Sequence, residues 1–165
     1  MKKWKFREVL MIIVLVSMIL VMFVFNEYSF FIKGVLFAAI LIVAGYVDFK
    51  TKTIPDWVHI LIMIVALIEI ELIDSLFGLV VVPLPYFIMA LLKENSIGGG
   101  DIKLMGACGF YLGLQAGYVA SILGLILAII IHFACSVIGS KKMDKSIPLA
   151  PYLGSGCLIA YFLVK

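Results

Sequence analysis

The chain consists largely of apolar runs, and their lengths restrict what it can fold into. Crossing a bilayer as a helix takes about 20 predominantly apolar residues. Hydrophobic residues make up 65% of the 165 residues and charged residues only 14%, which is more apolar surface than a soluble domain of this size can bury. The pattern predicts an all-α, polytopic membrane helical bundle with about seven transmembrane helices. The apolar runs lie at about 9–25, 28–47, 57–73, 75–92, 102–114, 117–138 and 148–164.

The N-terminal segment allows two interpretations. A basic start, MKKWKFR, followed by an apolar run is also the pattern of a signal peptide. The run from Val9 to Phe25 is long for the apolar part of a signal peptide, and no small-x-small cleavage site follows it. We therefore expect residues 1–27 to form an extra, uncleaved transmembrane helix and residues 28–165 to form one membrane domain.

Basic residues are divided unevenly between the two sides of the predicted bundle. With the N-terminus in the cytoplasm, eleven Lys and Arg lie on the cytoplasmic side and two, Lys33 and Lys165, on the other. Cytoplasmic loops carry such an excess, so the segments DFKTKTIPD, KENSIGGGD and GSKKMDKS are predicted to face the cytoplasm. We therefore expect a multi-pass membrane protein with its N-terminus on the cytoplasmic side. Because topology accounts for the basic surplus, the lipid bilayer is an expected partner and nucleic acid is not.

The sequence offers no pattern of metal ligands. Cys108, Cys135 and Cys157 lie far apart in apolar segments without a C-x-x-C pair, which favours small buried hydrophobic residues over a zinc site or a disulfide. His59 and His132 are isolated in apolar surroundings, and we interpret both as satisfied intramembrane histidines. We expect neither a metal nor a cofactor.

Two carboxylates are notable for their positions. Asp48 ends the second run and Asp101 opens the fifth, so both lie at the predicted cytoplasmic boundary. Acidic groups at membrane depth are costly and often mark function. Each also has a structural interpretation: Asp101 could cap a helix, where its charge is favoured, and Asp48 could be a solvated interfacial residue near lysines. Asp56, which follows Pro55, is better interpreted as a cap of the third run.

Three consecutive glycines precede Asp101. Gly98, Gly99 and Gly100 would serve a flexible loop, but they also allow another backbone to approach the carboxylate closely. Two carboxylates held a few ångströms apart cannot both ionise easily and share a proton. One can then deprotonate a water molecule while the other polarises a scissile carbonyl. This is aspartic-protease chemistry, and the sequence has no G-x-S-x-G, H-E-x-x-H or P-loop motif that would offer another.

Three segments resemble one known family. GGGDIKLMGACGFYLG resembles the GxGD segment of type IV prepilin peptidases, the A24 group of intramembrane aspartic proteases. DFKTKTIPDWV is similar to that family's other aspartate segment, and IPLAPYLGSG to its proline-containing element in the last span. The three follow in the family's order across the second to seventh runs.

The resemblance implies a catalytic pair, Asp48 and Asp101, that removes the short basic leader of prepilins or pseudopilins. It implies that this happens at the cytoplasmic face of the bacterial or archaeal cytoplasmic membrane. It implies that the three glycines lie next to the substrate backbone. It further implies site-shaping roles for the matched positions of the three segments. These are Lys103, Pro55, Asp56, Pro148 and Pro151. Lys103 could pair with a carboxylate or simply follow the positive-inside rule.

The chain also departs from larger members of that family. Those carry a cytoplasmic insertion after the first span, often with two C-x-x-C pairs that bind zinc, and they also N-methylate the new terminus. Here the first two runs nearly touch and no C-x-x-C occurs. We therefore expect a peptidase-only form without methyltransferase activity, built from a six-helix peptidase core plus the extra N-terminal helix.

Other functions fit parts of the same pattern. A small ion- or proton-coupled transporter could use two boundary aspartates, although transport sites favour the membrane midplane. A structural pilus-assembly protein and a GxGD protease of the presenilin kind are further alternatives. The sequence leaves open which aspartate is the base, which pilin system is served and what the oligomeric state is.

Overall fold

The computed structural model describes residues 29–93, 97–137 and 148–164. Within these ranges the chain contains only helices and their connections, without strands, which confirms the predicted all-α membrane bundle. The predicted helix in residues 1–27 lies outside the described residues. The helices are α1 (Ser29–Thr51), α2 (Asp56–Ala66), α3 (Leu72–Val81), α4 (Leu84–Leu92), α5 (Gly99–Leu112), α6 (Leu114–Val137) and α7 (Ala150–Val164).

Three of the described segments are long and apolar enough to cross a membrane. They are Phe30–Thr51, Leu72–Leu92 and Leu114–Ala134, and they correspond to α1, to α3 with α4, and to α6. The remaining helices are shorter and pack between or beside them. The chain is thus a multi-pass membrane protein in which long and short helices are mixed.

Two predicted spans differ from the observed helices. The third run was expected to reach residue 73, but α2 ends at Ala66 and the chain turns through Glu69, whose φ is 50°. Polar Glu69 and Glu71 follow directly, and a left-handed residue cannot continue a right-handed helix. The fourth run is divided by a turn at Val82 and Pro83, because proline supplies no N–H for the helical ladder.

When α3 and α4 are counted as one span, successive helices alternate in direction, which gives the bundle two distinct ends. At one end α1 finishes, and α2, α5 and α7 begin. At the other end Tyr161 donates a hydrogen bond to the carbonyl of Phe30 at 2.6 Å, and Tyr111 donates one to the carbonyl of Lys33 at 2.9 Å. These bonds tie the ends of α5 and α7 to the start of α1. Residues near 48 and 101, distant in sequence, therefore share one end.

Helix α5 is the central helix of the bundle. Its residues from Leu104 to Leu112 are all buried, and its 14 residues span only about 21 Å, less than the apolar thickness of a bilayer. Gly109 packs so closely against Gly78 of α3 that a Cβ on either would collide with the other's backbone. Protein rather than lipid surrounds the short helix, as its length predicts.

Candidate active site

Asp48 lies in the last turn of α1 and is buried, with 4% of its surface exposed. Its position at a helix C-terminus is electrostatically unfavourable for an anion. That cost is offset by α7, because the backbone N–H of Ala150 donates a hydrogen bond to Asp48 Oδ2 at 3.0 Å. The positive end of one helix thus faces a carboxylate at the negative end of another. The burial does not fit the solvated interfacial aspartate that was the structural alternative.

Asp101 lies in the first turn of α5 and is 9% exposed. The helix begins after Gly98, whose carbonyl accepts the Asp101 N–H at 3.0 Å, and the backbone of Gly98 is also a hydrogen-bond partner of the Asp101 carboxylate. Asp101 Oδ1 is buried and has no hydrogen-bond partner among the described residues. A buried carboxylate oxygen without a partner is costly in a structural role, so simple capping does not account for this aspartate.

The two carboxylates belong to one site. The charge of Asp48 acts on Asp101 through space, and both side chains are withdrawn from solvent. A connecting segment of residues 52–55 lies beside them, since a Cβ on Gly100 would come within 3.3 Å of Ile54. The end of α1, the loop after it and the starts of α5 and α7 therefore converge on the aspartate pair.

The three glycines have different surroundings. A Cβ on Gly98 would stand 3.0 Å from Asp101 Oδ2, and one on Gly100 would press on Ile54. No atom of the described residues lies within 4 Å of the Cβ position on Gly99, and both Gly99 and Gly98 are exposed. The glycine side of Asp101 is consequently the open side of the site, where an extended backbone could approach.

A polar pair marks the rim of the site. Lys103 Nζ donates to Asp56 Oδ1 at 2.7 Å, with 61% and 75% of the two side chains exposed. This bond lowers the pKa of the Asp56 carboxyl. Of the two interpretations of Lys103, the structure shows pairing with a carboxylate. Asp56 is the first residue of α2 after Pro55, and its carboxylate reaches across to α5.

The late prolines act on the start of α7. Pro151 is the second residue of the helix, where its missing N–H costs nothing, and its Cα lies 3.2 Å from a Cβ position on Gly45 of α1. Pro148 lies just before the helix and is half-buried. The two prolines thus frame Ala150, the residue that donates to Asp48.

Sequence analysis missed two features of the site. The donor to Asp48 is a backbone N–H, and the only sequence signal for it is the proline at the second position of α7. His59, expected to be satisfied, is buried with neither ring nitrogen bonded within the described part of the chain. In the same part, no three acidic, histidine or cysteine side chains are grouped as metal ligands would be.

The fold and the site define a class: a multi-pass helical membrane protein with two buried aspartates at one end of the bundle. Comparison with known proteins identifies the family within this class. A model of the type IV leader peptidase family matches residues 35–135, more than half of the chain. The chain belongs to that family, as the three sequence segments predicted.

One curated relative extends the comparison beyond the family model. A prepilin leader peptidase/N-methyltransferase of Bacillus subtilis (strain 168) is 27% identical over 134 residues, 78% of this chain. The chain spans about half of that relative's length, 54%. No solved structure matches the chain.

Proposed function

We propose that the protein is an intramembrane aspartic endopeptidase that removes the leader of type IV prepilins or pilin-like proteins. The observation that carries the proposal is the convergence of two buried aspartates from separate helices, one with an oxygen that has no partner in the described part of the chain. Membership of the type IV leader peptidase family supports it. The relative's name supports the same substrate class.

The surroundings of the two aspartates suggest different roles. The Ala150 N–H favours the ionised form of Asp48, since a hydrogen bond donated to a carboxylate stabilises its charge. The Asp101 carboxylate also has a backbone partner, Gly98, but its Oδ1 is buried without a donor among the described residues, so the proton that the pair shares is assigned to that oxygen. Asp48 would then take a proton from water as the water attacks the scissile carbonyl, while Asp101 donates its proton to the carbonyl oxygen. Collapse of the tetrahedral intermediate breaks the C–N bond: Asp48 gives its proton to the leaving amine, and Asp101 takes the proton of one hydroxyl as the new carboxyl group forms, which restores both aspartates to their starting states.

The place of cleavage follows from topology. The positive-inside bias assigns the Asp48 end to the cytoplasm, so the leader would be cut at the cytoplasmic membrane boundary. The exposed glycine side of Asp101 offers room for the unwound substrate backbone at that level. Pro55, Asp56 and Lys103 would shape the rim around it.

The proposal does not include methyl transfer. The zinc-binding C-x-x-C pairs of larger, bifunctional family members are missing from this sequence. Mass spectrometry of the processed pilin decides this point. We expect the processed pilin to have an unmethylated N-terminus. A methyl group in place of a hydrogen would raise the mass of the pilin by about 14 Da, and such an increase that requires this protein would contradict the expectation.

The direct test is a cleavage assay in membranes that contain this protein and a co-expressed prepilin. Cleavage is detected as a decrease in the size of the pilin. The substrates are a panel from type IV, tight-adherence, competence and type II secretion systems. We expect the parent protein to cleave at least one of them, and Asp48→Asn and Asp101→Asn to lose activity by more than about a hundredfold.

A matched control comes from the opposite end of the bundle. Asp74 Oδ1 accepts the Leu114 N–H at 3.2 Å, and Asp74→Asn keeps that acceptor. This variant should process the pilin at the parental rate. Cleavage by both site variants would instead show that the two carboxylates are structural, and processing that does not require this protein would favour a transporter or a structural assembly protein.

A further inference from the structure

We infer that the groove between α1 and α7 holds the apolar helix of the substrate during cleavage, an assignment that rests on the proposed function. The groove encloses about 370 Å³ on the outer surface of the bundle. Its lining includes Ile42, Gly45, Tyr46 and Phe49 from α1 and Pro151 and Ser155 from α7.

The groove borders the contact between α1 and α7 that holds Asp48, although neither aspartate is part of its lining. Gly45 lies one helical turn before Asp48, and Phe49 follows that aspartate directly. Pro151 follows Ala150, whose N–H binds Asp48. From Phe49 to Ile42 the groove runs about 10 Å along α1, away from the site and toward the middle of the bundle. A substrate chain that is cut next to Asp48 therefore has the groove beside the segment that enters the membrane.

The chemistry of the lining suits an apolar helix. The Ser155 hydroxyl donates to backbone carbonyls of its own helix at 2.9 Å, so it presents no donor to the groove. Small residues such as Gly45 and Ser155 let a helix approach closely, as they do in membrane helix pairs. The side chains of Ile42, Tyr46 and Phe49 stand out from α1 with 66%, 59% and 71% of their surfaces exposed, and they form one wall.

The position of the groove relative to the aspartates favours the apolar helix of the substrate as its occupant. A leader peptide at the membrane boundary is followed by the substrate's apolar helix, which must enter the bilayer on the membrane side of the cut. The groove begins next to the contact between Asp48 and Ala150 and extends in that direction, whereas the exposed glycines precede Asp101 at the start of α5. The substrate thus meets the protein twice, with its backbone at Gly99 and its helix between α1 and α7.

Photocrosslinking tests where the substrate lies. A benzophenone amino acid is placed at Ile42 in an Asp101→Asn background, which would bind the pilin without cutting it. The matched control is Ile129, an isoleucine on α6 with nearly the same exposure, 67% against 66%. We expect a pilin adduct from position 42 and at least about tenfold less from position 129. An adduct to lipid alone, or to residues 1–28 of the protein itself, would overturn the assignment.

Kinetics with the active protein give a second readout. Ile42→Trp should lower processing at limiting pilin by about tenfold, the loss that a small misfit in an apolar pocket produces, and should do so through KM. Ile129→Trp should stay within about twofold of the parent. Equal rates for the two variants, in a protein that requires Asp48 and Asp101 for cleavage, would refute the assignment of the groove and leave the proposed function standing. No processing of any pilin by the parent would refute the proposed function and the groove's occupant together.

Discussion

The hydrogen bond from α7 to Asp48 makes a quantitative prediction about the site. Ala150→Pro removes the donating N–H, while proline is accepted at the first position of a helix and keeps its backbone angles. A hydrogen bond to a charged group contributes about 1.5–3 kcal/mol. If that stabilisation is needed when Asp48 acts as the base, the rate of processing should fall by about 10- to 150-fold, at 1.36 kcal/mol per tenfold.

A size control is required because Ala150 is only 1% exposed and the proline ring needs room. Ala150→Val adds similar bulk and keeps the N–H, so it measures the packing cost alone. The predicted factor is therefore the ratio of the valine rate to the proline rate. The assay is single-turnover cleavage of detergent-solubilised pilin, with thermal unfolding of each variant to show that the bundle remains folded. Equal rates for proline and valine would show that α7 does not hold Asp48 for catalysis.

Three other contacts give separate predictions. Lys103→Met removes an exposed ion pair with Asp56, so stability should change little and the change should vanish in high salt, as measured by thermal unfolding. A large, salt-independent loss would contradict this. Gly98→Ala places a Cβ 3.0 Å from Asp101 Oδ2 and should slow cleavage several-fold with little effect on unfolding, whereas an unchanged rate would show that the carboxylate tolerates displacement. Gly109→Ala forces α5 away from α3 and should destabilise the bundle by about 1–3 kcal/mol in chemical unfolding, and a neutral result would rule out the close packing at Gly78.

Much of the fold was predictable because hydropathy is a local property. The apolar runs located α1, α5, α6 and α7 to within a few residues. The predicted helix bounds were wrong where polar residues or a proline interrupt an apolar run. Glu69 and Glu71 follow α2, and Pro83 separates α3 from α4. Averaged hydropathy does not register a single turn inside an otherwise apolar segment.

The candidate site was predictable to the level of residue identity. The motifs around Asp48 and Asp101 indicated the family, which the comparison confirmed. The roles of these aspartates, and of the positions carried over with them, stay predictions. What the motifs did not contain was the geometry: the Lys103 pairing with Asp56, the open side at Gly99 and the unpartnered oxygen of Asp101.

The sequence by itself determined the membrane class and the succession of helices. It also determined that Asp48 lies at the C-terminal end of its helix and Asp101 at the N-terminal end of its own, so that both lie on one side of the membrane. Each of these follows from residues near one another in the chain. Only the tertiary structure decided how a buried anion is tolerated at the unfavourable end of α1. Its partner is a backbone N–H 102 residues away, at the start of α7. Apolar helix faces can pack against one another in several ways, so that pairing is fixed by the packing of the whole bundle.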